Sequence, residues 1–231
     1  MPLVTKVKLL FGIPITWYTE RATETDEDKV LARVWRESGK KTTVFTSLDI
    51  RARDHDRNRI TDIGLSTWYL DSGADSIDNS MDCYHWKIKG RIPLDHTSSL
   101  NHLDTFNFGT TEVISESLIT RKLDSIFESL TTQFQRTVLI GHDIEPKLNL
   151  LRQYWKPPGH TITLDTQKIW QLQRGPPKDI ALEAALDAMW GLKYDKHLLW
   201  NAGNGARFTM CLLQAQGLAA RRPGRLREGP S

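Results

Sequence analysis

The sequence predicts an α/β fold in which a mixed sheet is flanked by helices. Two β-branched, apolar-rich segments lie close together around residue 50, and apolar residues at helical spacing follow. Short apolar runs of strand length, bounded by turn residues, then separate the helical segments. A strand pair followed by β-α-β-α-β elements satisfies all three observations, because parallel strands need crossover helices.

Residues 44–52 and 60–70 are predicted to pair antiparallel, with the polar residues 53–59 supplying the turn. A helix is predicted over 115–134, with Leu118, Lys122, Ile126, Leu130 and Phe134 on one face and Leu123 and Phe127 beside it. A short buried strand, 137–141, leads to a helix from about Ile144, for which Asp143 is the candidate cap. Pro157, Pro158 and Gly159 end that helix before a third buried strand at 161–165. Asp179 is placed to cap a helix carrying Leu182, Leu186 and Met189, which Gly191 ends. The last helix is predicted from near Ala202 to about Gln216.

The core is thus expected within residues 42–216. Residues 1–41 form an N-terminal extension whose charged span TERATETDEDK reads as a solvated helix or a loop. Residues 72–111, rich in Asp, Ser and His, read as an insertion decorating the edge of the sheet. Residues 217–231 carry Arg221, Arg222, Arg225 and Arg227 against Glu228, a charge equal to the +3 of the whole chain, so the remainder is near neutral. This basic tail, interrupted by Pro and Gly, is expected to be disordered.

Composition excludes some classes. No apolar run approaches the roughly 18 residues of a membrane helix, and no small-residue cleavage site follows the apolar opening, so neither a membrane partner nor a signal peptide is expected. Two cysteines, Cys83 and Cys211, are too few for a disulfide framework and suit a reducing compartment, the cytoplasm or the nucleus. Cys83, His85, His96 and His102 can be written as a zinc set, but their spacing matches no common finger and all four fall in the expected insertion.

The segments VFTSLDIRA, ITDIGLSTW, VLIGHDIEPKLNLL, LDTQ and WNAGNGARFT resemble, in order and spacing, the motifs of DEDDh-type 3′–5′ exonucleases of the ribonuclease H-like superfamily. The likeness is strongest to the fungal Gfd-type C-terminal domain and to Argonaute-interacting exonucleases of fungal RNA silencing. FNFGTTEVI, at the end of the insertion, resembles their FGxSE segment. The resemblance covers residues 42–213 and implies a ribonuclease H-like sheet. It also implies a two-metal site in which carboxylates hold Mg or Mn and a histidine is the general base.

Family members read LDIEA, GHxxxxDL and HNAGNDA where this chain reads LDIRA, GHDIEPKL and WNAGNGA. Carried over position by position, the first acid is Asp49, its partner falls on Arg51, the second-motif acid on Lys147, the histidine on Trp200 and the last acid on Gly205. Only Asp49 keeps its residue type, and two acids have become cations. The resemblance therefore implies an exonuclease-like protein without catalysis and without a cofactor. The alternative is a residual, weak metal-dependent 3′–5′ exonuclease with Mg or Mn on Asp49 and Asp143, and His197 as a substitute base.

A site that has lost its acids still suits a strand of nucleic acid. Arg51 and Lys147 can meet phosphates and Trp200 can stack on a base, so RNA or single-stranded DNA is the expected partner. The other reading is a scaffold for a protein partner in RNA silencing or messenger-RNA export. Asp165 and His142 read as structural, and Asn201, Ala202, Gly203 and Asn204 as support for a helix start. If the alignment holds, Asp49, Arg51, Lys147, Trp200 and Gly205 converge at one end of the sheet.

Overall fold

The computed structural model describes residues 26–37, 42–53, 56–69, 81–91, 105–190 and 196–220. At its centre β1 (Thr43–Arg53) pairs antiparallel with β2 (Asp56–Tyr69). The ladder runs on to Arg53 opposite Asp56, so the hairpin is longer than the expected turn at 53–59 allowed, and a register irregularity at Arg51 and Ala52 bends it.

β3 (Asp82–Ile88) continues the sheet beyond β2, antiparallel to it, and β4 (Thr111–Ile114) closes that edge parallel to β3. The stretch 72–111 is therefore not merely decoration. Trp86 and Ile88 are buried on one face and His85 on the other, a period-two alternation that the polar composition of the stretch hid. On the far side of β1 lie β5 (Arg136–Gly141) and β6 (Ile162–Asp165), both parallel, giving the order β4-β3-β2-β1-β5-β6. This mixed sheet flanked by helices is consistent with a ribonuclease H-like fold.

Each face of the sheet has its own core. Leu48, Ile50, Ile63, Leu65, Trp86 and Leu139 pack against α2 (Ile119–Gln133), which follows a 3₁₀ turn, and α3 (Ile144–Leu151). The buried stripe of α2 is Ile119, Leu123 and Phe127, one position round from the predicted face; Leu118 and Ile126 are half-buried, and Lys122 pairs with Glu112. The helix α3 stops at Leu151, well before Pro157, in a turn where Tyr154 and Trp155 donate back to the Leu151 carbonyl at 2.7 and 2.8 Å.

The opposite face packs Phe45, Trp68, Val138, Ile140 and Leu164 against α1 (Asp26–Glu37), α4 (Thr166–Arg174) and α6 (Ala202–Ala220). Leu31, Val34 and Trp35 are buried on α1 at helical spacing just beyond the charged span, whose last residues, 26–29, open this amphipathic helix; residues 19–25 lie outside the described residues. The helix α4 was not anticipated, because Ile169 and Trp170 are its only large apolar buried residues in a polar run. Behind α6 lies α5 (Leu182–Trp190), with Leu186 buried and Leu182 half-buried as predicted; Gly191 is outside the described residues.

The last helix runs four residues past Gln216. Gly217 lies against the Trp35 ring, where a Cβ would sit 2.3 Å from a ring carbon, so the missing side chain lets α1 and α6 pack closely there. The expected disordered tail thus does not begin at 217, and residues 221–231 lie outside the described residues. Among the described residues, no helix is long and apolar enough to cross a membrane.

Candidate functional site

Alternate residues of a strand share a face, so Ser47, Asp49 and Arg51 of β1 all point toward α6. They meet it in succession. Ser47 Oγ donates to the Ala206 carbonyl at 2.6 Å, Asp49 lies against Gly205, and Arg51 Nη2 donates to the Leu199 carbonyl. A Cβ on Gly205 would fall 2.2 Å from Asp49 Oδ2. Gly64, opposite Asp49 on β2, has the start of α6 directly over it: a Cβ there would sit 1.9 Å from the Ala202 carbonyl oxygen.

The start of α6 is held by side chains from the sheet. Asn201 Oδ1 accepts the Asn204 amide at 3.1 Å, as an N-cap does, and Asp62 Oδ1 accepts the Ala202 amide at 3.0 Å. Asp62 is in turn oriented by His85 at 3.1 Å, whose other ring nitrogen lies 2.9 Å from Thr111 Oγ1. This network was missed in the sequence. The signal was a polar residue, Asp62, on the same strand face as Gly64 and Ser66.

On the other side of Asp49, β5 and β6 end together, with Gly141 paired to Asp165, at the carboxyl end of the parallel strands, where open α/β sheets collect ligands. Asp143 follows β5 in a left-handed conformation (φ 53°, ψ 63°), and its side chain makes no cap. The cap comes instead from Asp165. Its Oδ1 accepts from the amides of Asp143 at 3.0 Å and Gln167 at 2.9 Å, and its Oδ2 from Ile144 at 3.2 Å, so one carboxylate serves the starts of both α3 and α4. The reading of Asp165 as structural agrees with this; that of Asp143 as a cap is corrected.

With α3 fixed in this way, Lys147 turns back toward β1. Its ammonium donates to the His142 carbonyl and lies 3.3 Å from Asp49 Oδ1. Arg51 Nη2 lies 3.2 Å from Asp49 Oδ2, an ionic contact without an aligned hydrogen bond, since that nitrogen is directed at Leu199. One buried carboxylate thus separates two cations. The side chains are 7% exposed for Asp49, 18% for Lys147 and 39% for Arg51, so only the arginine opens broadly to solvent.

Asp49, Arg51, Lys147 and Gly205 therefore come together as the motif order predicts. Trp200 stands on the rim, 58% exposed, at the end of the 3₁₀ turn Lys196–Trp200 whose Leu199 carbonyl holds Arg51. His197 packs edge-on against the Trp200 indole, ring centroids 4.7 Å apart. Asp143 is exposed at the start of α3. His142 is buried, donating from Nε2 to the Ile180 carbonyl at 2.7 Å, with Thr166 Oγ1 3.0 Å from Nδ1. Burial, reinforced by the Lys147 charge, pushes its pKa down.

The zinc reading does not survive for its described members. Cys83 and His85 belong to the core strand β3, Cys83 bonded to Ser66 at 3.3 Å and His85 to Asp62 and Thr111; His96 and His102 lie outside the described residues. Cys83 and Cys211 are free thiols, both pushed up in pKa chiefly by burial.

A family model described as the DNA polymerase III subunit epsilon-like, C-terminal domain, of DEDDh type, matches residues 44–215. The chain belongs to the DEDDh family. No curated protein matches it.

The metal pair implied for a DEDDh domain does not fit these residues. Two cations 3.2–3.3 Å from the Asp49 oxygens would face any dication placed there, and two unit charges 4 Å apart interact by about 4 kcal/mol at an effective dielectric near 20. Gly205 brings no ligand, and among the described residues no three His, Cys, Asp or Glu side chains converge on a metal-sized position. What this DEDDh site offers is two cations on one carboxylate with an exposed indole at the rim.

Proposed function

We propose that this protein is a catalytically silent DEDDh-type domain that binds single-stranded nucleic acid, RNA in the first instance, through Arg51, Lys147 and Trp200. The observation that carries the reading is the pairing of two cations with a single carboxylate beside an exposed indole. The cluster keeps one net positive charge, and its most exposed member is a guanidinium, which matches phosphate oxygens. Trp200 supplies a stacking surface that any base can use. Neither contact needs a metal, and residual exonuclease chemistry with Mg or Mn lacks the ligands to support it.

The likeness to fungal Gfd-type domains and Argonaute-interacting exonucleases points this reading toward RNA silencing or messenger-RNA export, in the cytoplasm or nucleus. One observation favours a second reading, a protein scaffold: each cation is already ion-paired with Asp49 and hydrogen-bonded to a backbone carbonyl, as in a site that has merely closed on itself.

Titration of labelled single-stranded RNA followed by fluorescence anisotropy separates the two. Binding that weakens several-fold in Trp200→Ala supports the groove. In Arg51→Gln the log–log salt slope should fall by about 0.7 for the lost phosphate contact. Absence of binding at low salt favours the scaffold.

A further inference from the structure

Asp49 is central to the site yet does none of the binding just described. Its two oxygens are divided between the two cations, Oδ1 to Lys147 and Oδ2 to Arg51, as two oxygens of a phosphate would be. The Asp49 side chain is buried and lies close against Gly205, where even a Cβ would fall 2.2 Å from Oδ2. It is also loosely satisfied. Oδ2 receives no aligned hydrogen bond, and Arg51 keeps an unbonded Nε.

Building on single-strand binding at this site, we propose that Asp49 is a specificity-determining internal anion: it stands between Arg51 and Lys147 and excludes small oxyanions, so that only a strand, which adds stacking on Trp200, is bound.

A tethered carboxylate competes at a local concentration that no free ion matches. Inorganic phosphate or a lone phosphomonoester therefore gains too little from Arg51 to displace it, and meets its charge as a repulsion. A strand differs in two respects. It can use the exposed side of Arg51 while leaving Asp49 in place, and its bases contribute stacking that a bare oxyanion lacks. Discrimination then comes from a repulsive element built into the site rather than from an added attraction. This also accounts for a buried acid retained beside two cations at a position where the metal pair no longer fits.

The test compares the full chain with Asp49→Asn, which keeps the shape and removes the charge, and with Asp49→Glu, which keeps the charge. Two readouts are needed: the shift in thermal midpoint with added inorganic phosphate at constant ionic strength, and anisotropy with labelled single-stranded RNA. The wild type and Asp49→Glu should show no phosphate-specific shift, whereas Asp49→Asn should be stabilised by phosphate. Asp49→Asn should bind RNA at least about tenfold more tightly, because deleting the carboxylate removes its repulsion of the phosphate. Asp49→Ser replaces the Asn variant if that variant melts below the assay temperature.

Unchanged phosphate response and unchanged RNA affinity in Asp49→Asn, with Trp200→Ala still weakening RNA binding, would overturn the internal anion and leave the strand-binding reading intact. Phosphate stabilisation confined to Asp49→Asn, with no RNA bound by any variant, would uphold the internal anion and overturn strand binding.

Discussion

Asp62 and His85 meet 3.1 Å apart on adjacent strands, and the same Asp62 oxygen accepts the Ala202 amide, so a pair inside the sheet sets where the last helix begins. Because α6 presents Gly205 to Asp49, this pair positions the candidate site without touching it. Asp62→Ala should cost about 2–4 kcal/mol, since it leaves a buried imidazole and a helix N-terminal amide without an acceptor. Asp62→Asn, which keeps one oxygen, should cost less. Urea denaturation of the two variants checks the order; equal costs would mean that the helix cap contributes little.

Asp165 joins two helices, accepting three amides from the starts of α3 and α4. An ordinary N-cap contributes about 1 kcal/mol, so Asp165→Ala should cost about 2–3 kcal/mol. Hydrogen exchange gives the sharper test. The amides of Asp143, Ile144 and Gln167 should lose protection together; loss at Gln167 alone would show that α3 is capped in another way.

Gly64→Ala should be severe, because the new Cβ would meet backbone, the Ala202 carbonyl, at 1.9 Å. Either α6 lifts from the sheet or β2 bends, at an expected cost above about 3 kcal/mol. Gly217→Ala meets the Trp35 ring instead and should cost about 1–3 kcal/mol. Combining Gly217→Ala with Trp35→Leu should recover part of that loss, and a double-mutant cycle reads the coupling.

The parts of this fold legible in the sequence were those that depend on local periodicity. β1, β2, β5, β6, α2 and α6 all carry runs long or apolar enough to show their period, and ordered motifs brought Asp49, Arg51, Lys147 and Gly205 to one place. What stayed hidden depends on tertiary contact. β3 alternates correctly, but Asp82, Cys83 and His85 dilute its apolar signal, and Trp35 marks α1 as buried only once Gly217 is known to lie on it. Asp143 looked like a cap because it directly precedes a helix, and only the parallel pairing of Gly141 with Asp165 shows that a better-placed carboxylate has the role.

His142 should make stability depend on pH. Burial holds its folded pKa below the ordinary 6.5; the hydrogen bond to the Ile180 carbonyl opposes it, the Lys147 charge adds to it, and Asp165 and Asp49 act weakly against it. A depressed histidine is neutral in the fold, so the unfolded chain binds more protons as pH falls. Its contribution is therefore complete above about pH 6.5 and is lost as pH falls toward the folded value, by at most about 1.4 kcal/mol per pH unit. The difference in urea midpoint between wild type and His142→Gln should shrink from pH 7.5 to pH 5.5. A constant difference would show that the ring protonates as freely in the fold as outside it.

Neither magnesium nor manganese should enable the protein to degrade single-stranded RNA or DNA, because Arg51 and Lys147 hold the one remaining carboxylate and Gly205 and Trp200 offer neither a ligand nor a base. Asp49→Ala is the control for contamination: metal-dependent degradation that disappears in this variant would show a living site. Reversing both cations with Arg51→Glu and Lys147→Asp converts the cluster into three carboxylates, which should destabilise the metal-free protein by like-charge repulsion. Manganese should then raise the thermal midpoint of the double variant and leave that of the wild type unchanged, since only the variant gathers hard oxygen ligands. Degradation should still be absent, because the double variant lacks the general base at Trp200 and the last carboxylate at Gly205. A double variant that neither binds manganese nor loses stability would mean that residues 51 and 147 do not converge on Asp49 in solution, and the site as described would fall with it.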